Sequence, residues 1–425
     1  MKNTPINKTS QKWNKMNTAW TLSLYGTAIG AGILFLPIQL GLGGLLPVVI
    51  MTIIAFPMAF LCHRNVARVV LAGKNANDNI IDVTKQNFSN IFTNFFAILY
   101  FLYAFPTLIV YSVAITNNII NVMVELLGWS TPSRWWISLL IITSLILSVN
   151  FGRTLVIKIM SFLVFPLIAC LFLLSLAMIP YWNQPILDTL SFSYVSPIET
   201  HNSLLKSLLL SFPVIAFAFN HIVVISSFAA ANKEMYGKNA ERKISKTLAI
   251  AVALMVFTSM FFVLSCIIVL SPQQLEMAKV DNISVLDFLA IVLQNPIIKY
   301  IASGIAFVAV ATSFLGHYLG AQEAFKYFFT HIYRPKTIPV SDKTIKIVTA
   351  IVIFMSVWLA ATYNPSIVAT LVNVVGPILA FILFLFPLIA IYTIPQLYKY
   401  KSLIPDLFIA LIGLGCLYIA ATSLL

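Results

Sequence analysis

A glycine-rich stretch with the sequence AIGAGI, residues 28 to 33, is the clearest candidate for a chemical site in this chain. Its surroundings are apolar enough to lie in a bilayer, where glycine weakens a helix by about 1 kcal/mol relative to alanine. A broken membrane helix is tolerated only where its free backbone groups meet protein, water or a ligand. Because half-helix N-termini bind anionic groups, the stretch predicts a site where a carboxylate meets bare backbone N–H groups.

A second interrupted segment is expected five spans later, because many transporters contain two inverted repeats. Residues 204 to 231 fit this expectation, since Pro213 removes a helix donor and the polar pair Asn220 and His221 lies near the centre. Proline and glycine are common in membrane helices, so packing could explain each segment alone. Two breaks at equivalent positions favour a transport site.

Three titratable residues in apolar segments could carry a coupling proton, namely His221, His317 and Lys158. Histidine changes its charge near neutral pH, and His221 adjoins the second predicted break. Each residue also has a structural explanation. His317 could form a hydrogen bond between helices, and Lys158 lies shallow enough for its ammonium group to reach the cytoplasm.

The elements that must position these residues are predicted membrane helices. Of the 425 residues, 60% are hydrophobic and 9% are charged, whereas soluble domains contain about 25% charged residues. Apolar runs of about 20 residues cross a bilayer as helices. Eleven runs are predicted, at residues 18–39, 44–71, 91–127, 134–151, 153–180, 204–231, 246–270, 297–326, 343–362, 366–393 and 403–424. The predicted fold class is an all-α integral membrane protein with 11 transmembrane helices.

Basic residues predict the orientation, because cytoplasmic loops retain Lys and Arg. With the N-terminus inside, all but four of the 26 basic residues lie on the cytoplasmic side, and residues 1–17 form a cytoplasmic tail rather than a signal peptide. The C-terminus is then periplasmic. The net charge of +13 reflects this topology and an attraction to anionic lipids of the bilayer, so no nucleic-acid partner is needed to explain it.

Several functions are disfavoured by missing motifs. The sequence contains no G-x-x-x-x-G-K-[ST] phosphate loop, no H-E-x-x-H and no complete G-x-G-x-x-G. Its four cysteines are isolated from one another, which predicts neither disulfides nor a zinc site. With few ionisable residues inside the spans, the chain is predicted not to be an enzyme and to need no cofactor.

Four stretches resemble the hydroxy and aromatic amino acid permease family: TAWTLSLYGTAIGAGILFLPIQLGLGGLLP, AFPMAFLCHRNVARVVLAG, KIMSFLVFPLIACLFLLSLAMIPYWN and SFLGHYLGAQEAF. The resemblance runs from Thr18 to the last span and is nearest to the serine/threonine transporter branch, through LCHR, MIPYWN and LGHYLG. It implies the leucine-transporter fold. Two inverted five-helix repeats would occupy residues 18–180 and 204–393, and an extra helix would occupy 403–424.

The resemblance also implies substrate-binding residues. At the first break, the amides that would bind the substrate carboxylate belong to Ala28, Ile29, Gly30, Ala31 and Gly32. At the second break, the carbonyls that would bind the substrate ammonium belong to Phe217, Ala218, Phe219 and Asn220. Tyr103 and Tyr111 could close the pocket, although aromatic residues on membrane helices more often pack in the core.

A sodium site is implied by the same resemblance. It would use the carbonyls of Gly26 and Ile29 and the hydroxyls of Thr312 and Ser313, which are hard oxygen ligands suited to a hard cation. Adjacent hydroxyls can instead bond to their own helix. The serine/threonine branch commonly has a lysine where this chain has Thr312, and a lysine ammonium there would favour proton coupling, so the coupling ion is either H⁺ or Na⁺.

The sequence thus predicts a secondary active transporter of the bacterial inner membrane. It would import a small hydroxy amino acid, L-serine or also L-threonine, with a cation by alternating access. An aromatic amino acid permease for tryptophan or tyrosine is the near alternative, and a channel is the alternative from another class. Nothing in the sequence indicates a soluble partner domain or specifies an oligomeric state.

Overall fold

The computed structural model describes residues 13–76, 78–149, 153–182, 184–328 and 341–423, and these residues form helices and connections without any strand. Sixteen helices, numbered in chain order, are α1 (Lys15–Ala28), α2 (Ala31–Gly41), α3 (Leu45–Leu71), α4 (Ile80–Asn87), α5 (Asn90–Asn121), α6 (Arg134–Val149), α7 (Arg153–Ala177), α8 (Leu204–Ala218), α9 (Ile222–Tyr236), α10 (Ala240–Val269), α11 (Pro272–Val280), α12 (Val285–Leu293), α13 (Pro296–Tyr327), α14 (Asp342–Tyr363), α15 (Ile367–Thr393) and α16 (Leu403–Ser423). The all-α expectation is confirmed for the described residues.

Eight helical stretches are long and apolar enough to cross a membrane, or nine when α1 and α2 count as one bent span. This result covers only the described residues. Two further apolar helices, α6 and α8, are shorter. Helices α9 and α10 meet through one 3₁₀ turn, Gly237–Asn239, and are counted as one stretch. The multi-pass membrane architecture is therefore established, while the number eleven and the inverted repeat stay predictions.

The first predicted break lies between α1 and α2, whose axes differ by 56°. The Ile29 N–H bonds the Tyr25 carbonyl at 3.0 Å and closes α1, and the Ile33 N–H bonds the Gly30 carbonyl at 3.1 Å as α2 begins. Only Ile29 and Gly30 are outside the helices. Of the residues predicted to be unwound, Ala28 ends α1, whereas Ala31 and Gly32 form the first turn of α2.

The second break follows α8 and differs from the expectation. Pro213 lies inside α8 and does not interrupt it, so that part of the prediction is wrong. A proline removes one donor, and neighbouring helices can compensate for the freed groups in a membrane helix. The chain leaves the helix at Phe219, Asn220 and His221. Phe217 and Ala218 therefore form the C-terminal turn of α8.

Both breaks lie in the interior of the molecule. The largest fully buried side chains include Tyr25, Tyr103, Phe219 and Phe314, which belong to α1, α5, the second break and α13. Large apolar side chains such as Ile53 and Phe162 are exposed on outer helix faces, as expected for surfaces in contact with lipid. Three short helices, α4, α11 and α12, lie in the connections between predicted spans.

Candidate functional site

The two helix breaks are in contact with each other. A Cβ atom built on Gly32 would lie 2.6 Å from the Cα atom of Ala218, so the start of α2 touches the end of α8 through backbone atoms. A Cβ atom on Gly30 would lie 2.2 Å from the Ser313 Oγ atom and 3.2 Å from the Tyr111 ring. Glycine is needed at both positions because no side chain fits there.

The first turn of α2 presents buried backbone donors at this contact. The first N–H groups of any helix have no acceptor within the helix, and the Gly30 residue that precedes α2 supplies no side-chain cap. Ala31 and Gly32 are buried in this turn. Their N–H groups and the positive end of the helix dipole suit a carboxylate.

The predicted sodium ligands are only partly brought together. The Ser313 hydroxyl donates to the Ile29 carbonyl at 3.0 Å, which connects α13 to the first break. The Thr312 hydroxyl donates to two carbonyls of its own helix, those of Val308 and Ala309. Gly26 lies against α7, since a Cβ atom there would be 2.1 Å from Val164. No group of three or more His, Cys, Asp and Glu that could hold a metal occurs among the described residues.

A chain of hydrogen bonds joins the second break to α13. Asn220 donates through Nδ2 to the Tyr103 hydroxyl, and the Tyr103 hydroxyl lies 3.2 Å from His317 Nε2. His317 Nδ1 faces the Ser313 carbonyl at 3.0 Å. Because a carbonyl only accepts, Nδ1 carries the hydrogen and Nε2 accepts from Tyr103. The predicted substrate and ion residues therefore belong to one connected network.

His221 stacks on a histidine that the sequence analysis did not select. The rings of His63, in α3, and His221 are parallel to within 10° with centroids 3.6 Å apart. His63 Nε2 lies 3.1 Å from the His221 backbone nitrogen and 3.3 Å from Asn220 Oδ1. The available sequence signal was a histidine inside the predicted span 44–71, within the LCHR stretch.

The remaining predicted residues lie around this network. The Tyr111 ring centroid is 6.0 Å from that of Phe217 and 5.1 Å from that of His317, so these rings form one wall. Phe219 is fully buried at the break itself. Lys158 belongs to α7, but its side chain lies outside the described residues.

A cavity of about 440 Å³ opens below the network, on the side predicted to be cytoplasmic. It is lined by α4, α5, α9 and α13, including Tyr100 and Val223 at its inner end and Asp78 and Glu234 near the surface. Burial raises the pKa of Asp78, but hydrogen bonds from Gln86 and Asn75 and the charge of Lys233 outweigh it and lower the pKa below its usual range. Asp78 therefore stabilises the connection between α3 and α4 through hydrogen bonds from Asn75 and Gln86.

The opposite end of α2 is covered by the connection between α7 and α8. Gln39 of α2 lies 3.0 Å from His201 Nε2, and the Leu45 N–H donates to the Thr189 hydroxyl at 2.8 Å. Burial, together with the charges of Lys279 and Lys206, lowers the pKa of His201 to about 4. His201 is therefore a neutral member of this connection, outside the hydrogen-bond network of the two breaks.

Comparisons with known proteins agree over nearly the whole chain. The model of the tryptophan/tyrosine permease family matches residues 14–412. The serine transporter SdaC of Escherichia coli strain K12 is 45% identical over 402 residues, which cover 95% of this chain and 93% of that protein. The threonine/serine transporter TdcC of Escherichia fergusonii is 38% identical over 417 residues, with coverage of 95% and 94%.

Solved structures extend the similarity to the fold. The crystal structure of a manganese transporter mutant from Eremococcus coleocola matches with a TM-score of 0.65, covering 99% of this chain and 88% of that one. The two sequences are 14% identical, so this similarity concerns the fold alone.

Proposed function

Because the chain belongs to the tryptophan/tyrosine permease family, we propose that it imports L-serine, with L-threonine as a second substrate, together with a cation. Its relatives SdaC and TdcC are transporters of serine and of threonine and serine. The proposed architecture is eleven spans, with inverted repeats at 18–180 and 204–393 and an extra helix at 403–424. The proposed location is the bacterial inner membrane, with a cytoplasmic N-terminus and a periplasmic C-terminus.

The observation that carries this proposal is the contact between two broken helices in the interior of the molecule. Ala31 and Gly32 are buried in the first turn of α2, and Gly32 contacts the end of α8. The first N–H groups of a helix and the last carbonyls of a helix lack partners within the helix. An amino acid zwitterion matches this pair of termini. Its carboxylate would meet the start of α2 and its ammonium the end of α8.

The crowding around Gly30 favours a small substrate. A methyl group there would already collide with Ser313 and press against Tyr111, so little space is left beside the first break. A serine side chain needs far less room than an indole. Tryptophan and tyrosine are the second candidate substrates, because the family is described as a tryptophan/tyrosine permease family. Inhibition of uptake by tryptophan but not by serine would support them.

Two cation sites are proposed as alternatives. Sodium would lie between the Ile29 carbonyl and the Ser313 hydroxyl, which are already 3.0 Å apart. A proton would be carried by the buried histidines His221 and His317 or by Lys158. Only one of these needs to move with the substrate for uptake to be concentrative.

The test is uptake of radiolabelled L-serine by proteoliposomes containing the full chain, with sodium and proton gradients imposed separately. We expect accumulation above the external concentration under one gradient. Flux without accumulation under either gradient would support a channel instead. Absence of serine transport, with transport of tryptophan under the same conditions, would overturn the substrate assignment.

A further inference from the structure

The stacked rings of His63 and His221 have an incomplete set of hydrogen bonds. His63 Nδ1 faces the Ala59 carbonyl at 2.8 Å and His221 Nδ1 faces the Phe219 carbonyl at 3.0 Å. Carbonyls accept only, so both Nδ1 atoms carry hydrogens and both Nε2 atoms are acceptors. His63 Nε2 accepts from the His221 backbone, whereas the buried His221 Nε2 has no hydrogen-bond partner among the described residues.

An unpaired acceptor in a fully buried ring costs free energy, and such groups are uncommon in native structures. His221 is 0% exposed and His63 is 1% exposed. The free acceptor, His221 Nε2, can bind a proton. A second positive charge 3.6 Å from the first would be strongly repelled in such an interior, so the two rings can hold one proton between them but not two.

A proton on His63 Nε2 would change the second helix break. The Nε2 atom would no longer accept from the His221 backbone N–H. Its new N–H would instead donate to Asn220 Oδ1, which is already 3.3 Å away. That oxygen now accepts the Ile222 N–H at 3.1 Å and so caps α9. The same Asn220 side chain donates to Tyr103 of α5. Protonation would therefore act on the residue that links the break to the opposite helix.

We propose that His63 and His221 together form the binding site for a single coupling proton, and that this proton controls transport by redirecting the hydrogen bonds of Asn220. The proton settles on His63 Nε2, where an acceptor is within reach. The free lone pair of His221 Nε2 receives it on the way in or out. The cavity that opens below the network reaches Val223, two residues from His221, and supplies the exit.

Few other titratable groups face this pair. Cys62 of α3 approaches His63 Nδ1 at 3.3 Å, and Tyr103 of α5 reaches it through Asn220. His317 of α13 is connected only through Tyr103. Within the described ranges, no carboxylate, lysine or arginine forms a hydrogen bond or ion pair with either ring. A proton bound by His63 and His221 would therefore be the charge that this pair gains and releases during transport.

The experiment compares proton-driven accumulation with exchange, and it rests on the proposed function as a serine importer. Wild type, His63→Gln, His221→Gln and the control His201→Gln, which changes a histidine outside the network, are reconstituted in proteoliposomes. Counterflow of radiolabelled L-serine at equal pH measures binding and turnover without net proton movement. Accumulation is measured with a gradient of one pH unit and the membrane potential clamped to zero. One proton per substrate can then sustain about a tenfold accumulation.

We expect wild type and His201→Gln to accumulate serine, and His63→Gln to retain counterflow while losing accumulation. Calorimetry of serine binding in buffers of different ionisation enthalpy should show about one proton taken up by wild type and none by His63→Gln. Accumulation by both His63→Gln and His221→Gln at the wild-type level would overturn the proposal. The proposal would also be overturned if a His317→Gln variant lost accumulation while His63→Gln and His221→Gln kept it. Loss of serine binding by both His63→Gln and His221→Gln at every pH would overturn it as well.

The proposed function can fail separately. If wild type exchanges and accumulates serine only with sodium, the importer stands and the proton site is overturned. If wild type neither binds nor exchanges serine, the importer itself is rejected.

Discussion

Gly32 determines how closely α2 can approach α8. The nearest atom to an added Cβ would be a backbone atom, the Ala218 Cα at 2.6 Å, which cannot rotate away as a side chain can. We predict that Gly32→Ala separates the two breaks and lowers serine uptake severely, because overpacking costs about 1–3 kcal/mol. Initial uptake rates at equal amounts of inserted protein would measure the effect.

Gly304 provides the matched control. It lies on α13, and no atom of the described ranges comes within 4 Å of an added Cβ. Gly304→Ala should keep wild-type uptake and stabilise the helix by about 0.4–1 kcal/mol. Equal uptake by the Gly32 and Gly304 variants would mean that the contact between the breaks is not the substrate site.

Ser313 and Thr312 are neighbours with different partners. Only the Ser313 hydroxyl reaches the first break, through the Ile29 carbonyl, whereas Thr312 bonds its own helix. We predict that Ser313→Ala reduces uptake more than Thr312→Ala does, because it leaves a buried carbonyl unpaired at a cost of about 1–3 kcal/mol. The sodium dependence of uptake separates the roles. A larger change in the apparent sodium affinity with Thr312→Ala would restore the predicted two-hydroxyl site.

The sequence could indicate the glycines but not the histidine pair. A Gly-x-Gly stretch in an apolar run is a local signal, because the penalty and the freedom of glycine depend on its own backbone. The proposed role of His63 depends on its contact with His221. That residue is 158 positions away in the sequence and becomes its neighbour through packing of α3 against α9. No spacing along the chain encodes that contact.

At the scale of elements, the two breaks were predictable to different degrees. Gly30 marks the first one because Ser313 and Tyr111 approach it so closely that no side chain fits there. Pro213 pointed to the wrong place in the second segment. Its ring is accommodated against Gly376, where an added Cβ would lie 2.6 Å from Pro213, so α8 continues to Ala218. The side chain of Asn220 caps α9 and fixes the break instead.

The connection that covers α2 should respond to acid. His201 lies outside the membrane-spanning segments, and its pKa in the folded protein is about 4 against an ordinary 6.5. The unfolded chain therefore binds a proton as pH falls below 6.5 while the folded chain does not. Stability attributable to His201 is unchanged above pH 6.5, decreases as pH falls from 6.5 to about 4, and decreases no further below that. The total loss is about 3–4 kcal/mol.

The measurement is the apparent Tm of wild type minus that of His201→Gln in detergent, followed from pH 7.5 to pH 4. Glutamine can still bond Gln39 but does not titrate. We expect the difference to fall with decreasing pH in this window. A difference that is constant with pH would show that protonated His201 is accommodated in the folded connection.

For the whole molecule, composition was sufficient to predict a multi-pass helical protein but not the count of spans. Length and hydropathy count eight or nine crossing helices in the described residues, because a span broken at its centre yields two short helices. Helix α8 has 15 residues and is too short by itself, and α9 merges with α10. The predicted span at 204–231 combines α8 with most of α9. These two helices are separated by the second break and would act as one span only around a common substrate site.

The orientation of the whole molecule gives the last prediction. All but four of the 26 basic residues lie on one side when the N-terminus is inside. Ser130, between α5 and α6, and Lys238, between α9 and α10, are both exposed on opposite predicted sides. In intact cells, a membrane-impermeant maleimide should label Ser130→Cys but reach Lys238→Cys only after permeabilisation. The native thiols of Cys62, Cys266 and Cys416 are buried, whereas Cys170 is partly exposed, so wild type is the control for background labelling. The reverse labelling pattern would show that the protein has the opposite orientation in the membrane. The cavity beside α9 would then be an entrance from outside rather than an exit to the cytoplasm.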